Sequence, residues 1–146
     1  MVLRAERVDT WAASLEDRPG SLGNKLNALT GAGANLEFVI ARRMAEKPGN
    51  GVVFVTPIVG AIQSRVAREV GFQKTKSLHN VRVEGPNKPG HAVNILGALA
   101  EKGLNLRGFS AAAIGTRFVA HVALDSAADA TKAVRVLSKL YQSKGR

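Results

Sequence analysis

Two short stretches, Glu16–Leu22 (EDRPGSL) and Pro86–Ala92 (PNKPGHA), each set a carboxylate or an amide two residues ahead of a Pro-Gly pair, and apolar residues at helical spacing follow. A strand that feeds such a turn and leaves it as a helix gathers several free backbone N–H groups at one point, where the helix dipole adds partial positive charge. That is the chemistry of a receptor for a carboxylate or another small anion. Gly20 and Gly90 keep side chains out of the way of close approach. Asp17 can pair with an ammonium group at the other end of a ligand, and Asn87 can accept a hydrogen bond from one. Asn35 and Asn105 open the strand that returns after each helix and offer amides to close the pocket. An α-amino acid carries a carboxylate and an ammonium on one carbon and matches both ends. Arg18, Pro19, Ser21 and Leu22 in the first loop, with Lys88 and His91 in the second, complete the candidate ligand contacts.

Each residue also has a plainer role. Asp17 can act simply as a helix cap. Asn35 and Asn105 follow helix-ending glycines, where asparagine serves turns. The joint repetition gives the pattern its weight. Asp17 and Asn87 stand 70 positions apart, and at that one offset ten of the 26 positions from Asp17 to Arg42 are identical, without a gap. Pro19 falls on Pro89, Gly20 on Gly90, Asn24 on Asn94, Leu29 on Leu99 and Asn35 on Asn105. A repeat of this length predicts two copies of one small unit, with boundaries at 1–79 and 80–146. Lys47-Pro48-Gly49 lacks an apolar run of helical period behind it and reads as a turn.

The elements that position these loops follow from periodicity. Arg7–Leu15 alternates as one strand, and Pro19 suits a first helical turn. Leu22, Leu26 and Leu29 mark one helix face, which Gly31 and Gly33 end. Leu36–Ala41 and Val52–Thr56 read as a hairpin around the turn at 46–51, followed by a helix with Ile62, Val66 and Val70 on one face. Gln73–His79 can supply a closing strand. The second copy repeats the order: a strand at 81–84, a helix at 89–102, strands at 105–113 and 117–124, and a helix at 127–141 with Ala130, Val134, Leu137 and Tyr141 on one face. Only QSKGR follows, so this copy is expected to lack its last strand. In a βαββαβ sheet of order 4-1-3-2 that omission leaves a central strand as an edge, which the other copy or another subunit should cover.

Composition sets the frame. The 146 residues carry a net charge of +10, 45% hydrophobic residues and no cysteine. A disulfide framework is thereby excluded, and the reading is a cytoplasmic protein without a membrane span. The positive charge is spread over both halves, as on a solvated basic surface. His79, His91 and His121 lack metal-ligand spacing, and no catalytic triad order, P-loop or dinucleotide fingerprint is present. No metal, cofactor or enzymatic role is expected.

The residues Asp17-Arg-Pro19-Gly20-Ser-Leu22 with Gly33-Ala-Asn35-Leu36, and Asn87-Lys-Pro89-Gly90-His-Ala92 with Gly103-Leu-Asn105-Leu106, resemble the ACT domain family. Its usual loop is [DN]-x-P-G-x-[LV], from which Ala92 departs. The resemblance covers nearly the whole chain and is nearest to stand-alone tandem ACT proteins. It implies an α+β fold of two ferredoxin-like (βαββαβ) units and a non-catalytic sensor that binds an amino acid or related metabolite. In the family such sites often lie at an interface between ACT units. By position they map onto Asp17, Gly20 and Asn35, and onto Asn87, Gly90 and Asn105. A homodimer or higher homo-oligomer and an unidentified regulated protein are the implied partners. A basic nucleic-acid-binding module or a purely structural interaction module is the alternative. RNA-binding sheets of this topology use exposed aromatic residues on central strands, and the strand RFVAHVAL matches that pattern poorly.

Overall fold

The structure, a computed structural model, describes residues 3–141. The chain divides into two compact units. One is Asp9–Thr75; the other joins the N-terminal residues through Val8 to the chain from Lys76 onward.

The Asp9–Thr75 unit contains β2 (Trp11–Glu16), α1 (Ser21–Gly31), β3 (Phe38–Arg43), β4 (Asn50–Thr56), α2 (Gly60–Glu69) and the short β5 (Gln73–Lys74). Its antiparallel sheet has the order β3-β4-β2-β5. Trp11, Ala13 and Leu15 alternate inward from β2 and meet Val53 and Val55 of β4, Leu29 of α1, Ala67 of α2 and Phe72, as period-two and helical patterning require. The hairpin expected of β3 and β4 forms, with Arg43 opposite Gly51 and Phe38 opposite Thr56. Two expectations shift. β3 begins at Phe38 rather than Leu36, which packs against the core from the preceding loop. On α2, Ala67 is the buried residue and Ile62 is exposed; the helix turns its small side chain toward the sheet and leaves Ile62 at its outer edge.

The other unit contains β1 (Arg4–Val8), β6 (His79–Pro86), α3 (His91–Glu101), β7 (Leu106–Ile114), β8 (Arg117–Leu124) and α4 (Ala127–Ser138). Its sheet order is β1-β6-β8-β7. Val81, Val83, Ala120, Val122 and Leu124 form the sheet side of the core, and Ile95, Leu99, Ala130, Ala133 and Leu137 form the helix side.

The largest departure from the sequence reading lies at the N-terminus. Arg7–Leu15 is two strands, separated at Asp9 and Thr10 and belonging to two different sheets. β1 pairs antiparallel with β6 from Arg4 opposite Glu84 to Val8 opposite Asn80, and Leu3 is buried in the second unit's core. Among the described residues no strand follows α4. β1 takes the fourth-strand position, so the central strand β6 is paired on both edges by this chain itself. The expected division at 79/80 therefore differs from the physical one: residues through Val8 serve the second copy, and 79/80 falls inside β6.

Candidate functional site

Both Pro-Gly turns fold alike. Gly20 and Gly90 precede α1 and α3 in the left-handed region, at φ 86° and 89°. A Cβ there would meet nothing within 4 Å, so these glycines serve the backbone conformation rather than close packing. The carbonyls of Gly20 and Gly90 accept from the N–H groups of Asn24 and Asn94, both at 2.9 Å. The N–H groups of Asp17 and Asn87 donate to Gly49 (3.0 Å) and Thr116 (2.8 Å), tying each loop to the hairpin beside it. Pro19 lies just ahead of α1 instead of within its first turn, and no side chain caps the N-terminus of either helix. The first-turn N–H groups thus remain oriented for a ligand.

In the first copy this loop borders a pocket of about 200 Å³. It is lined by Leu15, Glu16, Asp17, Arg18, Ser21 and Leu22 on the loop side, and by Ala41, Arg42, Arg43 and Gly51 on the hairpin side. Asp17 does not cap α1; its Oδ2 accepts from Arg43 Nε at 2.8 Å. Arg18 turns the other way and pairs with Glu16 at 2.5 Å. The open space comes from small residues: Ser21 begins the helix, and Gly51 stands opposite both Leu15 and Arg43. A Cβ on Gly51 would come within 2.9 Å of the Arg42 carbonyl oxygen, so glycine is required where β3 and β4 close beside the loop.

Asn35 is not part of this pocket. It precedes Phe38, and Phe38 lies at the Thr56 end of β3, whereas the pocket lies at the Gly51 end. A six-residue strand separates them by roughly 17 Å. Asn105 is related to its own loop in the same way, because β7 starts at Leu106 and reaches the loop end only at Ala113, opposite Phe118. The helix carries the chain away from the loop, and the returning strand must run its whole length to come back. Sequence reasoning missed Arg42, Arg43 and Gly51, which are brought to the loop by the hairpin; only the register could have pointed to them.

The second loop is built differently. Asn87 and Lys88 are exposed. His91 is 2% exposed. Its Nε2 lies 2.7 Å from the Pro86 carbonyl and its Nδ1 lies 3.1 Å from the Tyr141 hydroxyl. Its ring stands 5.3 Å from that of Phe118 and 5.5 Å from that of Tyr141. Such a histidine is a packed, hydrogen-bonded core residue, contrary to its expected place among the ligand contacts. Tyr141, expected on the last face of α4, lies beyond the end of that helix.

Among the described residues, no group of histidine, cysteine and acidic side chains is arranged to hold a metal ion, and no helix is long and apolar enough to cross a membrane.

No protein-family model and no curated protein sequence matches the chain. Solved structures do. Protein BT0572 from Bacteroides thetaiotaomicron superposes with a TM-score of 0.73 at 17% identity, over 94% of this chain and 98% of that one. The ligand-free regulatory subunit of aspartate kinase from Thermus thermophilus gives 0.65 at 16%, over 97% and 98%. A structure of aspartokinase alpha and beta subunits gives 0.62 at 18%, over 97% of each chain. These structures share the fold over nearly the full length of both chains, and in this chain that fold is two four-stranded antiparallel sheets with two helices to each. This chain has the tandem ACT fold.

Proposed function

We propose that the protein is a non-catalytic regulatory protein that binds an amino acid or a related small metabolite at its ACT loops and passes the bound state to a partner protein. The observation that carries this reading is the pocket at the first loop, where the open end of α1, the Asp17 carboxylate and the Arg43 guanidinium face one space. A helix N-terminus and a guanidinium suit the ligand's carboxylate, and Asp17 suits its ammonium. The volume of about 200 Å³ lies below the roughly 300–1,000 Å³ of sites for drug-sized ligands, which favours a metabolite. The similarity to regulatory subunits of aspartate kinase supports the regulatory part.

The reading includes a homodimer or higher homo-oligomer in the cytoplasm. An open central strand does not argue for it, because β1 pairs with β6. The remaining motive is the outermost strand β3, on which Val39 and Ile40 are 40% and 43% exposed. Light scattering tests it; a mass of 15.4 kDa that does not change on dilution overturns it.

The nucleic-acid alternative loses support in the second unit. The faces of β6 and β8 turned away from the helices carry Arg82, Glu84, Val119, His121 and Ala123. None is Phe, Tyr or Trp, and the His121 ring is buried, so they offer no exposed platform for stacking bases.

A thermal-shift screen of the twenty amino acids and common metabolites tests the proposal, because a ligand that binds only the folded state raises its stability. A screen in which none of them moves the transition sinks it.

A further inference from the structure

The two loops share their backbone but differ in what stands beside them. At the 70-residue offset Ser21 corresponds to His91 and Arg43 to Ala113. Strand register extends the comparison: Gly51 lies opposite Leu15 and Arg43, and Phe118 lies opposite Gly85 and Ala113, so Phe118 holds the place of Gly51. Where the first copy has a hydroxymethyl group, a glycine and an arginine around an open pocket, the second has an imidazole, a benzyl group and a methyl group.

We infer that the second loop is closed by the chain's own His91, Phe118 and Tyr141, and that each chain takes one ligand, at the first loop. This rests on the reading of the first loop as a ligand site. The closing contacts are joined by hydrogen bonds. The Pro86 carbonyl can only accept, so the neutral His91 ring carries its proton on Nε2 and donates it there at 2.7 Å. Nδ1 is then an acceptor, and the Tyr141 hydroxyl donates to it at 3.1 Å. The same hydroxyl oxygen accepts from Asn94 Nδ2 at 2.7 Å. Asn94 is in the first turn of α3, and Pro86 ends β6. Tyr141 therefore fastens the helix start to the loop through His91.

Tyr141 holds this place at φ 77°. The left-handed region is uncommon for a residue other than glycine, asparagine or aspartate and costs about 1 kcal/mol or more. The contacts of its ring and hydroxyl offset that cost. The topology explains why residues after α4 can do this. In the first copy the chain leaving α2 becomes β5 and pairs with β2. In the second, β1 already fills that strand position, and residues 139–141 are left to bring Tyr141 onto the loop. The charge pattern agrees: Arg42 and Arg43 of the first copy become Ala112 and Ala113 in the second, which removes two cations from the neighbourhood of an anion site.

Glycine, the amino acid common to all side-chain classes, is a suitable probe, read by backbone-amide NMR titration of the full chain. Shifts at 17–22 with none at 87–92 are expected in the native protein. In the double variant His91→Ser, Tyr141→Ala, shifts should appear at both loops. Equal shifts at both loops of the native protein overturn the proposal while leaving the ligand reading intact. Shifts confined to the first loop in both proteins overturn the assignment of His91 and Tyr141 as the closing groups. Silence at both loops in both proteins overturns this proposal, and the ligand reading falls with it when the thermal-shift screen is silent as well. Should the double variant fail to fold, Tyr141→Phe keeps the ring and removes only the hydroxyl. Amide exchange at Ala92–Asn94 should then quicken several-fold, and unchanged exchange overturns the latch.

Discussion

Arg43 Nε donates to Asp17 Oδ2 across 2.8 Å, joining the end of β3 to the turn that opens α1. The Arg43 side chain is 83% exposed and that of Asp17 35%. A pair this open to solvent contributes about 0–1 kcal/mol. A ligand ammonium can therefore displace Arg43 from Asp17 at small cost, and the released guanidinium remains beside the ligand's carboxylate.

Asp17→Asn should weaken binding of any amino acid identified by the thermal-shift screen by about 1–2 kcal/mol, as expected for losing a charge-assisted hydrogen bond. Stability should change by less than about 1 kcal/mol, since only an exposed ion pair is lost. Asn87→Ala should leave affinity unchanged. Isothermal calorimetry on both variants checks this, and the reverse pattern would show that the ligand sits at the second loop.

Leu3→Ala should destabilise the second unit by about 2–4 kcal/mol, the usual cost of truncating a buried leucine, because Leu3 is 1% exposed in that unit's core. A fragment of residues 76–146 should aggregate. The same fragment with residues 1–8 joined after its C-terminus through a flexible linker should fold. Urea denaturation followed by circular dichroism separates these outcomes. A well-folded 76–146 fragment would mean that β1 is dispensable.

His121 predicts an acid response. Burial, and then the charge of Arg82 opposite it on β6, push its pKa down from 6.5 to about 4. The folded state therefore binds this proton less readily than the unfolded state. Stability should be full above pH 6.5, fall as pH drops from 6.5 toward 4, and level off below for this group. The loss should be about 1–3 kcal/mol. His121→Gln should flatten that part of a stability curve measured by denaturant at successive pH values, and an identical slope in the variant would refute the assignment.

Two glycines with opposite roles, Gly20 and Gly23, lie three residues apart in sequence. Gly20 sits at φ 86°, so Gly20→Ala should cost about 1 kcal/mol. Gly23 lies within α1 with nothing within 4 Å of an added Cβ. Gly23→Ala should stabilise by about 0.5–1 kcal/mol through helix propensity. Thermal melts of the two variants should move in opposite directions.

The repeat was legible because the same turn chemistry recurs in it: a left-handed glycine before a helix, and an apolar helix face behind it, leave residue identities at fixed positions. The hairpins and the four helices were legible from periodicity, with ends off by a few residues. β1 was not. In Arg4-Ala-Glu-Arg-Val8 the side chains of Arg4, Glu6 and Arg7 are exposed, so an edge strand with one covered face shows almost no apolar alternation. Its trace was indirect, in the expected missing strand of the second copy. Arg43 and Gly51 carry no sequence signal because neither belongs to the repeated loop; strand register alone brings them there. The pattern 130, 134, 137, 141 places Tyr141 on a helix face because it continues past Ser138, where the helix itself ends.

The pairing of β1 with β6 has a topological meaning. Val8 stands opposite Asn80, so the two strands are the arms of a hairpin whose connecting segment has been replaced by the whole Asp9–Thr75 unit. The first copy is a guest inserted into the second, its entry and exit set side by side as in tolerated domain insertions. The host can be written without its guest: a short turn from Val8 to Asn80 would leave one permuted unit, ββαββα in chain order, with its sheet order intact. The chain crosses between guest and host only at Val8–Asp9 and Thr75–Lys76, and both crossings lead into the arms of that one hairpin.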